Sequence, residues 1–130
     1  MIYFLPPSLI TNQLLDVVVD KLKTKTNMFD YINEDKYKQR ILNKELVLWI
    51  TNRLVVIGQF DTCETGLKTC SLTVTNVTDD SDEDFYTDLE LLEQMLKDVG
   101  VDRIILDGRK GWLRKMPDYS LSSVKLIKDL

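Results

Sequence analysis

A single α/β domain is what the 130-residue sequence predicts, and three observations predict it. Apolar residues recur at helical spacing near the start of the chain, a β-branched run with polar turns fills the middle, and one long amphipathic helix stands between two strands. The length suits one domain, and 44% hydrophobic residues suffice for one core.

The first helix spans Thr11 to Leu22, where Leu15, Val18, Val19 and Leu22 share a face and Thr11 or Asn12 caps the start. Thr24-Lys25-Thr26-Asn27 breaks the pattern. A second helix begins at about Asn33. Its capping asparagine precedes Glu34 and Asp35, while Lys38, Arg40 and Lys44 fall toward the other end, as the helix dipole favours. Only Tyr37, Ile41 and Leu42 face inward, so this helix is thinly packed.

Between Leu46 and Phe60, two apolar runs flank the polar Thr51-Asn52 and predict an antiparallel pair, with Trp49 a core residue of a central strand. A loop from Cys63 to Lys68, containing Gly66, leads to a third strand. There Leu72, Val74 and Asn76 alternate with Ser71, Thr73, Thr75 and Val77, giving one greasy face and one hydroxyl-rich face. Ser81 then caps a helix with acids close behind it, and Phe85, Leu89, Leu92, Leu96 and Val99 recur at steps of four and three until Gly100 ends it. Val101 to Leu106 is a buried strand. A helix of this length between two strands implies a crossover and a local parallel pairing, within either a mixed or a purely parallel sheet. A short helix or turn near Gly111 to Met116, a break at Pro117-Asp118 and a last strand around Ser122 to Ile127 complete the reading.

Composition excludes several kinds of chemistry. The chain has no histidine, so serine–histidine and cysteine–histidine catalysis are ruled out. Cys63 and Cys70 cannot make a four-ligand zinc set and are expected as free thiols, and Cys63 as a nucleophile lacks any source of thiolate activation. A net charge of −4 gives no general attraction for nucleic acid or anionic lipid. No apolar run approaches the roughly 20 residues of a membrane span, and Met1 to Pro7 lacks the form of a signal peptide. A cytoplasmic or packaged protein is expected.

Two charged clusters remain. Asp79, Asp80, Asp82, Glu83 and Asp84 suit the positive end of a helix, and their spacing does not match a calcium loop. Arg103, Arg109, Lys110, Arg114 and Lys115 gather around Gly108, Gly111 and Trp112. Here a tight turn with Trp112 as its core anchor competes with a binding patch, for which Arg109, Lys110, Trp112 and Arg114 are the candidate partner-binding residues. No catalytic, cofactor-binding or metal-binding residue is expected from motif alone.

The order of elements resembles the acetyltransferase fold of the GNAT superfamily. More narrowly, Leu92 to Ile104 followed by Gly108-Arg109-Lys110-Gly111-Trp112 is similar to a signature of small GNAT-like proteins encoded by tailed phages. The resemblance implies a mixed, mostly antiparallel central sheet with helices on both faces. In active members the third strand leads into a glycine-rich turn whose amides hold the pyrophosphate of acetyl-CoA. Here Thr78 to Asp84 stands at that place, with no glycine and no basic residue, and carboxylates would repel a pyrophosphate. The resulting expectation is a phage protein with a degenerate cofactor loop: not an enzyme, binding no cofactor, and acting as a minor virion or assembly component on other phage or virion proteins, in the virion or host cytoplasm. The alternative is a small acyl-CoA-dependent N-acyltransferase with a divergent cofactor loop. Backbone amides near Thr75 to Thr78 would then hold acetyl-CoA, and Tyr119 or Glu90 would assist proton transfer. A nucleic-acid accessory role through Arg109 to Lys115 is a third possibility.

Overall fold

The computed structural model describes residues 3–51, 53–77, 85–107, 118–120, 122 and 126–130. Its elements run β1 (Tyr3–Phe4), α1 (Asn12–Lys25), α2 (Glu34–Leu42), β2 (Val47–Ile50), β3 (Leu54–Thr62), β4 (Lys68–Asn76), α3 (Phe85–Asp98) and β5 (Arg103–Asp107). The strands form one sheet in the order β1-β2-β3-β4-β5. Every neighbouring pair is antiparallel except β4 with β5, which is parallel. The sheet is therefore mixed and mostly antiparallel.

Each helix begins and ends for a local reason. Thr11 accepts a hydrogen bond from the Leu14 amide at 3.1 Å, and Asn33 accepts one from Lys36 at 3.0 Å, so both expected caps form. Lys38 meets Asp16 at 2.6 Å and Lys23 pairs with Glu34, fastening the thinly packed α2 to α1. Helix α3 ends where the Gly100 amide donates to Lys97 O and the Val101 amide to Leu96 O, with Gly100 at φ +93°. This is a Schellman cap, and it needs a residue that adopts positive φ without strain.

Strand alternation decides which helix covers which face. Leu48, Val55 and Ile57 pack with Leu15, Val18, Leu22, Tyr37 and Ile41 from α1 and α2. Trp49, Leu54, Val56, Cys70, Leu72 and Val74 pack with Leu89, Leu92 and Leu96 from α3. The helices thus lie on both faces, and the greasy side of β4 is the side that α3 covers.

Several boundaries depart from the sequence reading. Strand β1, two residues long, was not expected: it is too short to show alternation, and its pairing with Trp49 and Ile50 makes it a strand. The hairpin of β3 and β4 is longer than its apolar run, because the register from Leu54↔Asn76 to Thr62↔Lys68 carries exposed polar residues as far as the turn at Gly66. The strand expected around Ser122 to Ile127 is absent at its described residues Ser122, Leu126 and Ile127. Residues 123–125 of that stretch, and the expected turn at 111–116, lie outside the described residues.

Gly58 is the tightest point of the α3 face. A Cβ there would stand 2.7 Å from Trp49 Cζ3 and 3.2 Å from Leu72 Cδ2. The indole Nε1 of Trp49 is itself buried without a hydrogen-bond partner, so this tryptophan is held by packing alone. Gly58→Ala is expected to cost about 1–3 kcal/mol in denaturant unfolding, and Trp49→Leu in the same chain to recover part of that loss. Additive losses in the double variant would refute the contact as the cause.

Candidate functional site at the ends of the parallel strands

The single parallel pair sets the site. Because β4 and β5 run the same way, their carboxyl ends, Asn76 and Asp107, lie on one edge of the sheet, and α3 sets out from that edge. In α/β sheets ligands gather outside the carboxyl ends of strands, where the direction of the chain pattern changes. The described register runs from Thr69↔Arg103 to Thr73↔Asp107, and β4 continues to Asn76. Thr73 and Thr75 point to the α1–α2 side and Val74 to the α3 side, where it joins the core.

The opposite end of the pair is closed by one residue. Asp102 Oδ2 accepts a hydrogen bond from the Lys68 amide at 3.0 Å, and the Asp102 amide donates to Lys68 O at 2.8 Å. This two-way clasp fixes the register of β5 against β4.

Two side chains expected to move protons fare differently. Tyr119 is half-buried against the core beneath α3, and its hydroxyl donates to Glu93 Oε1 at 2.6 Å. Burial, followed by the Glu93 carboxylate, raises its phenol well above the ordinary value. At neutral pH it is a protonated group and cannot serve as a base. Glu90, one turn earlier on α3, is exposed. The partner of Tyr119 is thus Glu93, a pairing across 26 residues that leaves no local sequence signal.

Both cysteines are free; Cys63 is exposed in the β3–β4 turn and Cys70 is buried, with burial and then the Asp61 carboxylate pushing its thiol up to about 11. Cys70 is therefore a core residue and no nucleophile. Arg109, Lys110, Trp112 and Arg114, like the acidic run Asp79 to Asp84, lie outside the described residues. No helix among the described residues is long and apolar enough to cross a membrane.

No sequence-family model and no curated protein sequence matches the chain. Solved structures do. A glucosamine-6-phosphate N-acetyltransferase from Arabidopsis thaliana superposes with a TM-score of 0.64 at 12% identity, covering 99% of this chain and 97% of that one. A predicted acetyltransferase with acetyl-CoA from Clostridium acetobutylicum gives 0.56 at 17% identity, over 100% and 96%. A transcriptional regulator from Bacillus halodurans gives 0.66 at 12%, over 100% and 99%. The fold is the GNAT fold.

This GNAT architecture corrects four expectations: that the chain is a virion component, that it has a structural rather than enzymatic role, that it is no enzyme, and that it takes no cofactor. Acetyltransferases share the fold from end to end, and one of them was solved with acetyl-CoA. The physical reason for the error is that five carboxylates report the charge of one connecting segment. The fold is set by the order and direction of the strands, which the charge of one segment does not report. Nothing in the matches supports a phage origin.

The Tyr119–Glu93 bond generates a test. The raised phenol contributes stability that is fully present below about pH 10 and is lost as pH rises toward its folded value. Tyr119→Phe is expected to cost about 1 kcal/mol at neutral pH. In a spectrophotometric titration it should remove one late-ionising phenol, leaving that of Tyr37, which burial also raises. An unchanged late phase would refute the assignment.

Proposed function

We propose that the chain is an acyl-CoA-dependent N-acyltransferase. The observation that carries this reading is the carboxyl edge of the parallel pair, in a fold shared end to end with acetyltransferases. Backbone groups at strand ends offer donors and acceptors with which an extended chain of amides, such as the pantetheine arm of coenzyme A, can pair. We assign Val74 to Asn76, at the carboxyl end of β4, to that role.

Acetyl-CoA supplies the activated acyl group when bound; the chain supplies position and charge. Backbone groups of Val74 to Asn76 orient the arm, and donors at that edge favour the charge that develops on an acyl oxygen. Tyr119, kept protonated, belongs to the acid side of the chemistry. With no histidine in the chain, the attacking amine must arrive largely neutral or lose its proton to a carboxylate or water.

The phosphates need cations. Arg109 follows Asp107, the last residue of β5, by two positions in the chain. We assign Arg109, Lys110 and Arg114 to the phosphates, and Trp112 to a stacking or anchoring role beside them. Thr78 to Asp84, which follows β4 directly, is a divergent cofactor loop whose acids weaken binding without abolishing it.

Titration calorimetry with acetyl-CoA is expected to show saturable binding, and a hundredfold excess over Kd to stabilise the fold by about 2.7 kcal/mol. Neutralising Asp79, Asp80, Asp82, Glu83 and Asp84 to their amides should tighten binding by roughly five- to tenfold at low salt, with the gain shrinking as salt rises. Arg109→Ala with Arg114→Ala should weaken it. Absence of binding at millimolar acetyl-CoA in both the natural and the neutralised chain would overturn the proposal.

A further inference from the structure

The turn between β2 and β3 brings a cation to the carboxyl edge of the parallel pair. Strand β3 runs opposite to β4, so its first residue, Leu54, pairs with Asn76, the last of β4. Arg53 stands just before Leu54 and is half-buried. Its backbone is held from two directions. Within the turn, the Arg53 amide donates to Thr51 Oγ1 at 3.1 Å, the Leu54 amide donates to the same oxygen at 2.8 Å, and the Thr51 amide donates to Leu54 O at 3.0 Å. Across the strands, the Val77 amide donates to Arg53 O at 2.8 Å. The pairing of β3 with β4 thus runs one step past Asn76, and Arg53 occupies that step.

Desolvation decides which end of a bound arm faces outward. Inward from Val74 the two strands are lined by Leu72, Val56 and Ile57, all buried. A pyrophosphate carried in among aliphatic side chains would give up its hydration for nothing of equal strength. An arm paired along Val74 to Asn76 therefore points its thioester inward and its phosphates outward, past Asn76. The residue in register there is Arg53, opposite Val77. A guanidinium offers paired donors that match the oxygens of a phosphate. Asp79 follows Val77 by two positions in the chain, so positive charge at this step also offsets the start of the acidic run.

We infer that Arg53 binds the pyrophosphate of the acyl-CoA from the β2–β3 turn. The inference rests on the acyl-CoA reading and adds to it a contact on the side of β4 away from β5. It also accounts for how an edge that leads into five carboxylates can still hold an anionic cofactor. No local motif marks Arg53 in the sequence, because its place beside Val77 comes from strand pairing.

Titration calorimetry of the full chain with acetyl-CoA, at low and at high salt, tests the contact. Arg53→Gln is expected to weaken binding about tenfold at low salt. The gap from the natural chain should narrow as salt rises, since a half-exposed ion contact is screened. Arg53→Lys keeps the charge without the fork and should bind with intermediate affinity. Unfolding midpoints without ligand report whether each variant is folded, and none of the bonds that hold the turn uses the Arg53 side chain. Undiminished binding by folded Arg53→Gln would overturn the inference while leaving the acyl-CoA reading in place. So would a gap that is the same at every salt concentration, which marks a structural role, or an Arg53→Lys chain no better than Arg53→Gln. Failure of both the natural and the acid-neutralised chain to bind acetyl-CoA would remove the acyl-CoA reading and this contact together.

Discussion

A sheet that runs antiparallel from β1 to β4 must accept β5 in the opposite sense, and the rest of the architecture depends on how that is achieved. A parallel neighbour cannot be reached by a tight turn, so the chain crosses over as α3 and returns at the far end of β4. The Gly100 cap turns it out of the helix, and two residues later Asp102 closes on Lys68 in both directions. Those few bonds determine where β5 starts. They consequently determine the register of the parallel pair, whose carboxyl edge the proposed chemistry uses.

The two faces of the sheet divide the labour. On one side α1 and α2 are joined to each other by ion pairs and to the sheet by aliphatic packing. On the other, α3 rests on Trp49, Val56, Leu72 and Val74, with Gly58 leaving the room that the indole occupies. The polar contact of Tyr119 with Glu93 is made on the flank of this second layer. It attaches Tyr119 to the helix that follows β4.

Much of this was written locally in the sequence. Thr11, Asn33 and Gly100 marked helix ends because caps act over a few residues, and the alternation in β4 marked its faces because strand period is local too. What escaped depended on distance. Strand β1 exists only through β2, the Tyr119–Glu93 bond spans 26 residues, and the Lys68–Asp102 clasp spans 34. The function was misjudged for a related reason. Carboxylates in Asp79 to Asp84 are conspicuous in a sequence, whereas the direction and register of a strand pair have no residue type of their own.

The clasp between Lys68 and Asp102 also implies an order of assembly. The β3–β4 hairpin closes through the short turn at Gly66, so it can form within microseconds of its residues meeting. Strand β5 must wait until the segment between β4 and β5 has folded into its helix and turned at Gly100, a longer closure that costs more chain entropy. The edge that carries the proposed chemistry is then completed after the hairpin. By the same balance of local against distant bonds it opens at lower cost than the hairpin, leaving the β3–β4 amides as the slower to exchange with solvent.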